Sequence, residues 1–482
     1  MLPISFPAIT RRRFIQGASA AGFSLGQSSR IARADDTSAA PIVLRPGLGR
    51  AQLLPATSPD TAVWCFNGSV PGPEIRIRQG EKVRLTVENH LAEDTTVHWH
   101  GIRLPNAMDG VPGLTQSPIK PGESFVYEFT PPDAGTFWYH PHSDGLQQLG
   151  RGLAGVLIVE EREPVAVDRD IVWMLQDWRL NSEKQIAAGF GGAMDAVMSG
   201  RVGNLVTLNG SVSGDQPVRA RERIRLRLIN GALARIMALR FEGHRPLVVA
   251  TDGQPCEPYE PEDGRLLLGP AMRIDVMLEL QGEPGRRYAV VDDYYPDLSY
   301  NLTSLAYAND PPLRPAPLGA PFVLPRNPLP EPDTANADRF EVHLQGGMAG
   351  GGALKGLGGL NGVMTPGMDG GAAWAINGMS MTGDGQMGAA PLFTLTRGRS
   401  IVLTMHNETA WWHPMHLHGF SFRVLTKNGA SVPHHQWGDT VLLAPRDVFE
   451  CAFVADNPGD WMLHCHVADH QMAGLMTVLR VT

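Results

Sequence analysis

Hydrophobic residues in this chain are gathered in short segments rich in Val, Leu, Ile, Thr and Phe. Gly and Pro, 54 and 39 residues respectively, separate these segments throughout. In residues 448–454 the alternation puts Phe449, Cys451 and Phe453 on one face, as in a strand with one buried side. Few stretches have a helical period. The pattern predicts an all-β protein built from sandwiches or barrels, with Cys451 as a core thiol.

The pattern repeats along the chain. Residues 80–101 (GEKVRLTVENHLAEDTTVHWHG) align without a gap with residues 398–419 (GRSIVLTMHNETAWWHPMHLHG). A second block, residues 135–142 (GTFWYHPH), aligns with residues 459–466 (GDWMLHCH). Two copies of one β-domain are therefore predicted near the two ends of the chain.

A weaker middle copy begins at residues 222–230 (ERIRLRLIN). Its register puts Leu239 and Phe241 where the first copy has His98 and His100, so we expect the same sandwich without metal ligands. Charged and Pro-rich stretches near residues 163 and 332 are typical of linkers. The predicted domains are 35–162, 163–332 and 333–482, preceded by a leader, 1–34.

Histidines are clustered in both outer copies. Ten of the sixteen lie in four short groups: His98 and His100; His140 and His142; His413, His416 and His418; and His464, His466 and His470. Cys465 lies between two of them, and thiolate with imidazole is a donor set that suits copper. Since side chains alternate along a strand, Cys465 would bind one metal while its neighbours reach others. Ten histidines are far more than one zinc site needs.

The first 34 residues differ from the rest. Residues 10–16 (TRRRFIQ) form a twin-arginine pattern, and residues 32–34 (ARA) offer a small-residue cleavage site. Removing the five leader arginines takes the net charge from −8 to −13, which argues against a nucleic-acid partner. We expect export through the twin-arginine machinery to the periplasm or beyond, and no transmembrane segment in the mature protein.

Four cysteines in 482 residues do not make a disulfide scaffold. With Cys465 assigned to metal, the sequence leaves open whether Cys65 and Cys256 pair.

The four histidine motifs, in this order, resemble those of the multicopper oxidases, the family of laccases, ascorbate oxidase, bilirubin oxidase and bacterial cuprous oxidases. The resemblance covers essentially the whole mature chain. It implies three cupredoxin-like Greek-key β-sandwich domains and four copper ions: one type 1, one type 2 and a type 3 pair. It further implies four one-electron oxidations of a small-molecule reductant, coupled to reduction of O₂ to two waters.

The resemblance also implies a role for each motif residue. The type 1 ligands would be His413, Cys465 and His470, and the type 2 ligands His98 and His416. The type 3 ligands would be the remaining six: His100, His140, His142, His418, His464 and His466. The type 2 and type 3 ions would then lie between the first and last domains.

Three further positions bear on reactivity. Asp109 matches a carboxylate that the family has after its first motif, as a proton donor, although an Asp-Gly pair is also an ordinary turn. Leu475 stands at the axial position of the type 1 copper, where it is no ligand; Met476 is expected in the core. Gln471 replaces a glutamate of some cuprous oxidases, and Asp469 is a nearby substitute.

The substrate is less clear from the sequence. Residues 346–388 hold 16 glycines and six methionines, which indicates either a flexible loop acting as a lid or a segment that handles Cu(I). His434, His435, Trp437 and Asp439 fall where the family has residues near type 1 copper, and either shape the substrate pocket or form a polar loop. Three functions remain: a laccase-like oxidase of phenols or aromatic amines, which is favoured, a cuprous oxidase of the envelope, or a non-catalytic scaffold.

Overall fold

The computed structural model describes residues 42–212, 214–319, 322–348, 372–383 and 390–482, together with the backbone of Ala32–Arg33. The twin-arginine motif and Met364, Met368 and Met387 lie outside the described residues. Strands dominate the described chain, so the all-β prediction is confirmed.

The first sandwich contains two sheets, in the orders β1-β5-β10-β9-β7 and β2-β6-β8, and the hairpin β3-β4. Its strands are β1 Ala32–Arg33, β2 Ile42–Leu44, β3 Pro46–Ala51, β4 Thr61–Phe66, β5 Gly72–Arg78, β6 Val83–Glu88, β7 His98–His100, β8 Ser124–Phe129, β9 Gly135–His140 and β10 Gly155–Glu160.

The middle sandwich pairs its strands in the orders β12-β11-β14-β19-β16-β17 and β13-β21-β20-β15-β18. They are β11 Arg169–Trp178, β12 Leu205–Leu208, β13 Gln216–Val218, β14 Arg223–Asn230, β15 Met237–Phe241, β16 Leu247–Thr251, β17 Gln254–Tyr259, β18 Arg265–Leu268, β19 Arg273–Glu279, β20 Arg287–Asp292 and β21 Tyr300–Tyr307.

The third sandwich pairs β23-β22-β25-β31-β27-β28, with β29 on β27, against β24-β33-β32-β26-β30. Its strands are β22 Asp338–Gly346, β23 Trp374–Ile376, β24 Phe393–Leu395, β25 Ser400–Asn407, β26 His413–Leu417, β27 Phe422–Lys427, β28 Ala430–Ser431, β29 Trp437–Gly438, β30 Thr440–Leu443, β31 Val448–Val454, β32 Gly459–Cys465 and β33 Met476–Val481.

The repeat seen in the sequence has a structural counterpart. In the first sandwich β7 pairs with β9 so that His98 is opposite His140. In the third, β26 pairs with β32 so that His416 is opposite His464. The aligned motifs therefore occupy the same antiparallel ladder in both sandwiches. In the middle sandwich, Leu239 and Phe241 are buried in the hydrophobic core instead.

Hydrophobic packing ties the outer sandwiches together, because one buried cluster contains core residues of both. Phe449, Cys451 and Phe453 belong to it, as the alternation predicted. All four cysteines are free thiols, which settles the question of Cys65 and Cys256.

The glycine- and methionine-rich segment is only partly described, and its residues 374–376 form a strand where the sequence predicted a loop. Trp374–Ile376 forms β23, which pairs with β22 and is buried. The Trp374 indole donates to the carbonyl of Ala196 in the middle sandwich at 2.6 Å. A large aromatic ring with a bonded N–H is a core position, so this part of 346–388 belongs to the sandwich.

Helices are few and short in the described chain. The α-helices are α1 Gly145–Gly150, α2 Ala193–Val197 and α3 Ala468–Met472, and the 3-10 turns are Asn106–Met108, Glu262–Gly264 and Pro296–Leu298. Among the described residues, no helix combines the length and apolar character needed to cross a membrane.

Candidate metal centre

His413, Cys465 and His470 come together in the third sandwich. Strands β26 and β32 are antiparallel neighbours, with Met415 opposite Cys465, so His413 on β26 lies near the thiol. Helix α3 starts three residues after Cys465 and turns the chain back, which brings His470 to the same point. Local strand pairing plus one helical turn therefore builds the group.

The three donor atoms form a nearly regular triangle. The Sγ of Cys465 lies 3.5 Å from Nδ1 of His413 and 3.7 Å from Nδ1 of His470, and the two nitrogens are 3.2 Å apart. An ion at the centre of such a triangle would be about 2 Å from each donor, near the usual metal–ligand distance. All three side chains are fully buried. The geometry fits a trigonal thiolate–imidazole copper site.

Protonation favours the same conclusion. Burial lowers the pKa of His470 to about 3, so the ring is neutral, and its Nε2–H donates to the carbonyl of Met198 at 2.7 Å. The lone pair of His470 is then on Nδ1, which faces the sulfur. Burial raises the pKa of the Cys465 thiol, so an empty site would hold a thiol and a bound metal would hold the thiolate.

Leu475 and Met476 lie in different parts of the core. Leu475 is fully buried in the cluster that contains Cys465, and its carbonyl accepts the Cys465 N–H at 2.9 Å. Met476 packs instead with Val111, Met462 and Val478. Met476 is in the core, as the sequence predicted, and Leu475 as the axial neighbour stays a prediction.

Eight histidines of the outer sandwiches form a second buried group, four from each: His98, His100, His140, His142, His416, His418, His464 and His466. Their rings are in mutual contact. His98 stacks on His418 with ring centroids 4.0 Å apart, and His100 stacks on His416 at 3.8 Å. Each of these contacts joins the first sandwich to the third. The predicted cluster between the outer domains is thus assembled in the structure.

Many ring nitrogens in this cluster are buried but have no hydrogen-bond partner among the described residues. Eight such atoms belong to six residues, His98, His100, His140, His142, His416 and His466. Buried polar atoms in proteins are nearly always bonded. The other two residues, His418 and His464, place their Nε2 atoms 3.0 Å apart. Triplets of donor atoms lie within 4.8 Å of one another, for example on His142, His418 and His464. Unsatisfied nitrogens so close together fit metal ions.

The carboxyl group of Asp109 lies against this cluster. Its Oδ2 accepts from Nδ1 of His418 at 2.8 Å, and its backbone carbonyl accepts from Nδ1 of His98 at 2.8 Å. Burial opposes ionisation, but the two histidines outweigh it and hold the pKa of Asp109 below its usual range. Asp109 also precedes Gly110, which has φ of +83°. A Cβ at Gly110 would lie 1.9 Å from the carbonyl oxygen of Val97, so only glycine fits there. The tight turn and the buried carboxylate are therefore both present.

Asp439 corrects the sequence analysis. It was expected near the substrate pocket or in a polar loop, but it is fully buried and its Oδ1 lies 3.3 Å from Nε2 of His100 and 3.2 Å from Nδ1 of His416. The reason is strand pairing: β30 runs beside β26 with Thr440 opposite His416, which carries Asp439 to the cluster. Arg273 of the middle sandwich contacts it, a residue that the sequence analysis missed.

The middle sandwich also covers His470. Met198 accepts its Nε2–H, and Arg201 donates its backbone N–H to Oδ2 of Asp469 at 2.7 Å. Asp469 is buried, which raises its pKa to about 6, and its Oδ1 has no partner among the described residues. The segment that contains Met198 and Arg201, just after α2, is therefore hydrogen-bonded to the part of the third sandwich that contains His470.

Four of the six remaining histidines form contacts elsewhere in the protein. His434 stacks on Tyr259 with centroids 4.4 Å apart, and His435 lies 3.4 Å from Glu331. His343 and His406 stack on each other at 4.7 Å, and each pairs with a glutamate. None of these four histidines was predicted to be a metal ligand.

Comparisons with known proteins identify the family. Three family models described as multicopper oxidase match residues 48–164, 169–309 and 363–482. The multicopper oxidase MmcO of Mycobacterium tuberculosis is 30% identical, over 98% of this chain and 96% of its own. Copper resistance protein A of Escherichia coli is 27% identical, over 86% and 89%. The chain belongs to the multicopper oxidase family of oxidoreductases.

Solved structures agree. A multi-copper oxidase from Pseudomonas thermotolerans superimposes with a TM-score of 0.79 at 33% identity, covering 92% of this chain and all of that one. CueO from a lignin-degrading Ochrobactrum species, described as a bacterial laccase-like multi-copper oxidase active on lignin model compounds, gives 0.77 at 27%, covering 94% and 99%. The expected fold of three cupredoxin-like sandwiches is confirmed.

Proposed function

We propose that this protein is a four-copper oxidase that couples four one-electron oxidations of a small reducing substrate to reduction of O₂ to two waters. The donor would be a phenol or an aromatic amine, as in laccases. The observation that carries the proposal is the position of Cys465: its sulfur belongs to the trigonal group, and its chain neighbours belong to the histidine cluster.

That position supports electron transfer between the two sites through covalent bonds. Electrons accepted at the sulfur would pass through the Cys465 side chain and one peptide unit to reach His464 or His466. The proposed ligands are those that the sequence predicted: His413, Cys465 and His470 for type 1; His98 and His416 for type 2; and His100, His140, His142, His418, His464 and His466 for type 3. Bound copper would supply one-electron oxidation at the first site and dioxygen reduction at the cluster.

The protein groups would orient these ions and supply protons. Asp109, ionised beside His98 and His418, would hold both rings in the tautomer that leaves Nε2 free for metal. The carboxylate could also pass on protons, which the formation of water consumes.

Removing the sulfur tests the proposal. Cys465→Ser is expected to lose the blue colour and one copper of four, and to lose oxygen uptake with every reductant. Cys451→Ala is the control, since Cys451 is equally buried in the same sandwich but lies on β31 of the other sheet, opposite Leu403 and Val424. A wild-type protein without colour on copper loading, or Cys465→Ser with full oxygen uptake, would refute the proposal.

A cuprous oxidase is the second candidate. Met194, Met348 and Met379 are 54%, 47% and 42% exposed, and thioethers suit Cu(I). Met348 donates its backbone N–H to Val197, next to the carbonyl that covers His470. The likeness to copper resistance protein A supports this reading, and the likeness to a laccase-like oxidase supports the first.

Oxygen uptake with a methoxyphenol and with chelated Cu(I) divides the two candidates. The triple change of Met194, Met348 and Met379 to Leu removes the thioethers at nearly constant volume. Deleting residues 349–371 removes much of the Gly/Met-rich segment but keeps Trp374. Met462→Leu, in the core, is the control. Phenol oxidation that is fast and unaffected supports a laccase. Fast Cu(I) oxidation that both changes abolish, with negligible phenol oxidation, refutes it.

A scaffold without catalysis is disfavoured because all eleven predicted ligands are present and brought together. For localisation, we propose export by the twin-arginine machinery, on the basis of residues 10–16. Exchange of Arg11 and Arg12 for Lys should retain the protein in the cytoplasm.

A further inference from the structure

Arg273 and Asp439 form a buried ion pair where all three sandwiches meet. Arg273 begins β19 of the middle sandwich and donates from Nη1 and Nη2 to the two carboxylate oxygens of Asp439, at 2.8 and 2.6 Å. Both side chains have no exposed surface. Two parallel bonds of this kind fix the orientation of both groups.

Every N–H of the guanidinium has an acceptor. Besides the two bonds to Asp439, Arg273 donates from Nε to the carbonyl of Thr136 at 3.2 Å, from Nη1 to Ala271 at 3.4 Å and from Nη2 to Asp252 at 2.9 Å. A guanidinium has five donors, and here all five are used. The group cannot rotate without leaving a buried donor unpaired, so it is a rigid support.

Asp439, held in place by Arg273, in turn restrains two rings of the histidine cluster. Its Oδ1 lies near Nε2 of His100 and Nδ1 of His416, and its backbone carbonyl accepts from Nδ1 of His416 at 2.9 Å. The opposite nitrogens, Nδ1 of His100 and Nε2 of His416, have no hydrogen-bond partner in the part of the chain that the structure describes. A carboxylate on one imidazole nitrogen with the other nitrogen free is the usual arrangement behind metal-bound histidine.

Gly101 is a second feature of the sequence that permits the contact between Arg273 and Asp439. It follows His100 with φ of +86°, and a Cβ there would lie 2.2 Å from Nη2 of Arg273 and 2.6 Å from Oδ2 of Asp439. Only glycine therefore allows the ion pair to reach this position. The first sandwich provides the space, the middle one the cation and the third the carboxylate.

We infer that Arg273 is a positioning residue of the histidine cluster: it holds Asp439, which fixes the rings of His100 and His416 for copper. The middle sandwich, which has no predicted ligands, thereby takes part in metal binding. The inference rests on the proposed function, because it concerns copper at this cluster.

The test uses the full chain loaded with copper. Arg273→Met keeps much of the side-chain volume and removes the guanidinium group. We expect the copper bound by the histidine cluster to bind about 10- to 100-fold more weakly. Its affinity is measured by copper titration, with the EPR signal of this copper as the readout. The blue band of the Cys465 site should keep its intensity. Arg235→Met is the matched control, because Arg235 is a buried arginine of the same sandwich that pairs with Asp177 at 3.3 Å.

Three results would overturn the inference: unchanged affinity of the cluster copper, equal loss of the blue copper, or the same loss in Arg235→Met. If Arg273→Met does not fold, Asp439→Asn, which keeps the shape and removes the charge, decides by the same criteria. A wild-type protein that takes up no copper would instead overturn the proposed function.

Discussion

The Nε2 atoms of His418 and His464 face each other at 3.0 Å, with no proton available between two neutral rings. His418 donates its Nδ1–H to Asp109, and His464 donates its Nδ1–H to the carbonyl of Cys465. Burial lowers the pKa of both histidines, so neutral rings are expected. Two lone pairs then oppose each other in a buried site, and a cation relieves the repulsion.

Copper should therefore stabilise the fold strongly. An ion that binds only the native state at a free concentration 100 times its Kd adds about 2.7 kcal/mol. Scanning calorimetry of the protein before and after a chelator removes copper is expected to give a clearly lower melting temperature for the copper-free form. Reloading should restore it. Equal melting temperatures would mean that the cluster does not hold copper tightly.

The copper-free protein should also lose stability in weak acid. The folded-state pKa of His418 and of His470 is lowered to about 3, below the ordinary value of 6.5. Between these values the unfolded chain binds more protons, so stability is complete above pH 6.5 and is lost as the pH falls towards 3. Each such histidine contributes up to about 1.4 kcal/mol per pH unit.

Urea unfolding of the copper-free form at pH 7 and pH 5 measures this effect. The variant His470→Gln should weaken the dependence, while His90→Gln, on an exposed histidine, should leave it unchanged. A stability that does not vary over this range would contradict charge-free histidines in the folded state.

The sequence predicted which histidines come together because each motif is local and repeated. The antiparallel pairing that puts His98 opposite His140 recurs for His416 and His464, so one alignment placed both halves of the cluster. Arg273 and Met198 had no such signal, because their contacts join separate sandwiches.

Other misplacements have the same origin. Asp439 lies against the histidine cluster and not in the expected pocket or polar loop, because the pairing of β30 with β26 cannot be read from the chain order. Trp374 lies in a buried strand and not in the predicted loop. The strand is only three residues long, and the glycine-rich sequence around it is typical of loops. Local composition describes the neighbours of a residue in the chain and not those in space.

Leu475 should set the reduction potential of the blue copper. Leu475→Met offers a thioether of similar volume to the buried site and is expected to lower the potential, because axial ligation tunes such coppers. A redox titration of the blue band measures the change. Met476→Leu, one residue on and in another cluster, should leave the potential unchanged. An unchanged potential in Leu475→Met would exclude Leu475 as the axial neighbour.

Asp109 should act on oxygen reduction and not on electron acceptance. Asp109→Asn removes the charge beside His98 and His418 and should slow reoxidation of the reduced enzyme by about 10²- to 10⁴-fold. Anaerobic bleaching of the blue colour by substrate should keep its rate. Asp133→Asn is the control, since Asp133 is a buried carboxylate of the same sandwich bonded to Arg103. Equal slowing of both half-reactions would assign Asp109 a structural role only.

Access to His470 should depend on how closely the middle sandwich lies on it. Gly200, two residues after Met198, has φ of +80°, and a Cβ there would meet Val467 at 2.5 Å and Ala234 at 2.7 Å. Gly200→Ala should lift this segment and raise kcat/KM for bulky phenols relative to small ones. Gly189→Ala is the control: its φ of +81° imposes similar backbone strain, but among the described residues nothing beyond its chain neighbours would lie within 4 Å of an added Cβ. If both variants change the ratio equally, strain and not displacement is the cause. If Gly200→Ala leaves the ratio unchanged, the carbonyl of Met198 does not limit access.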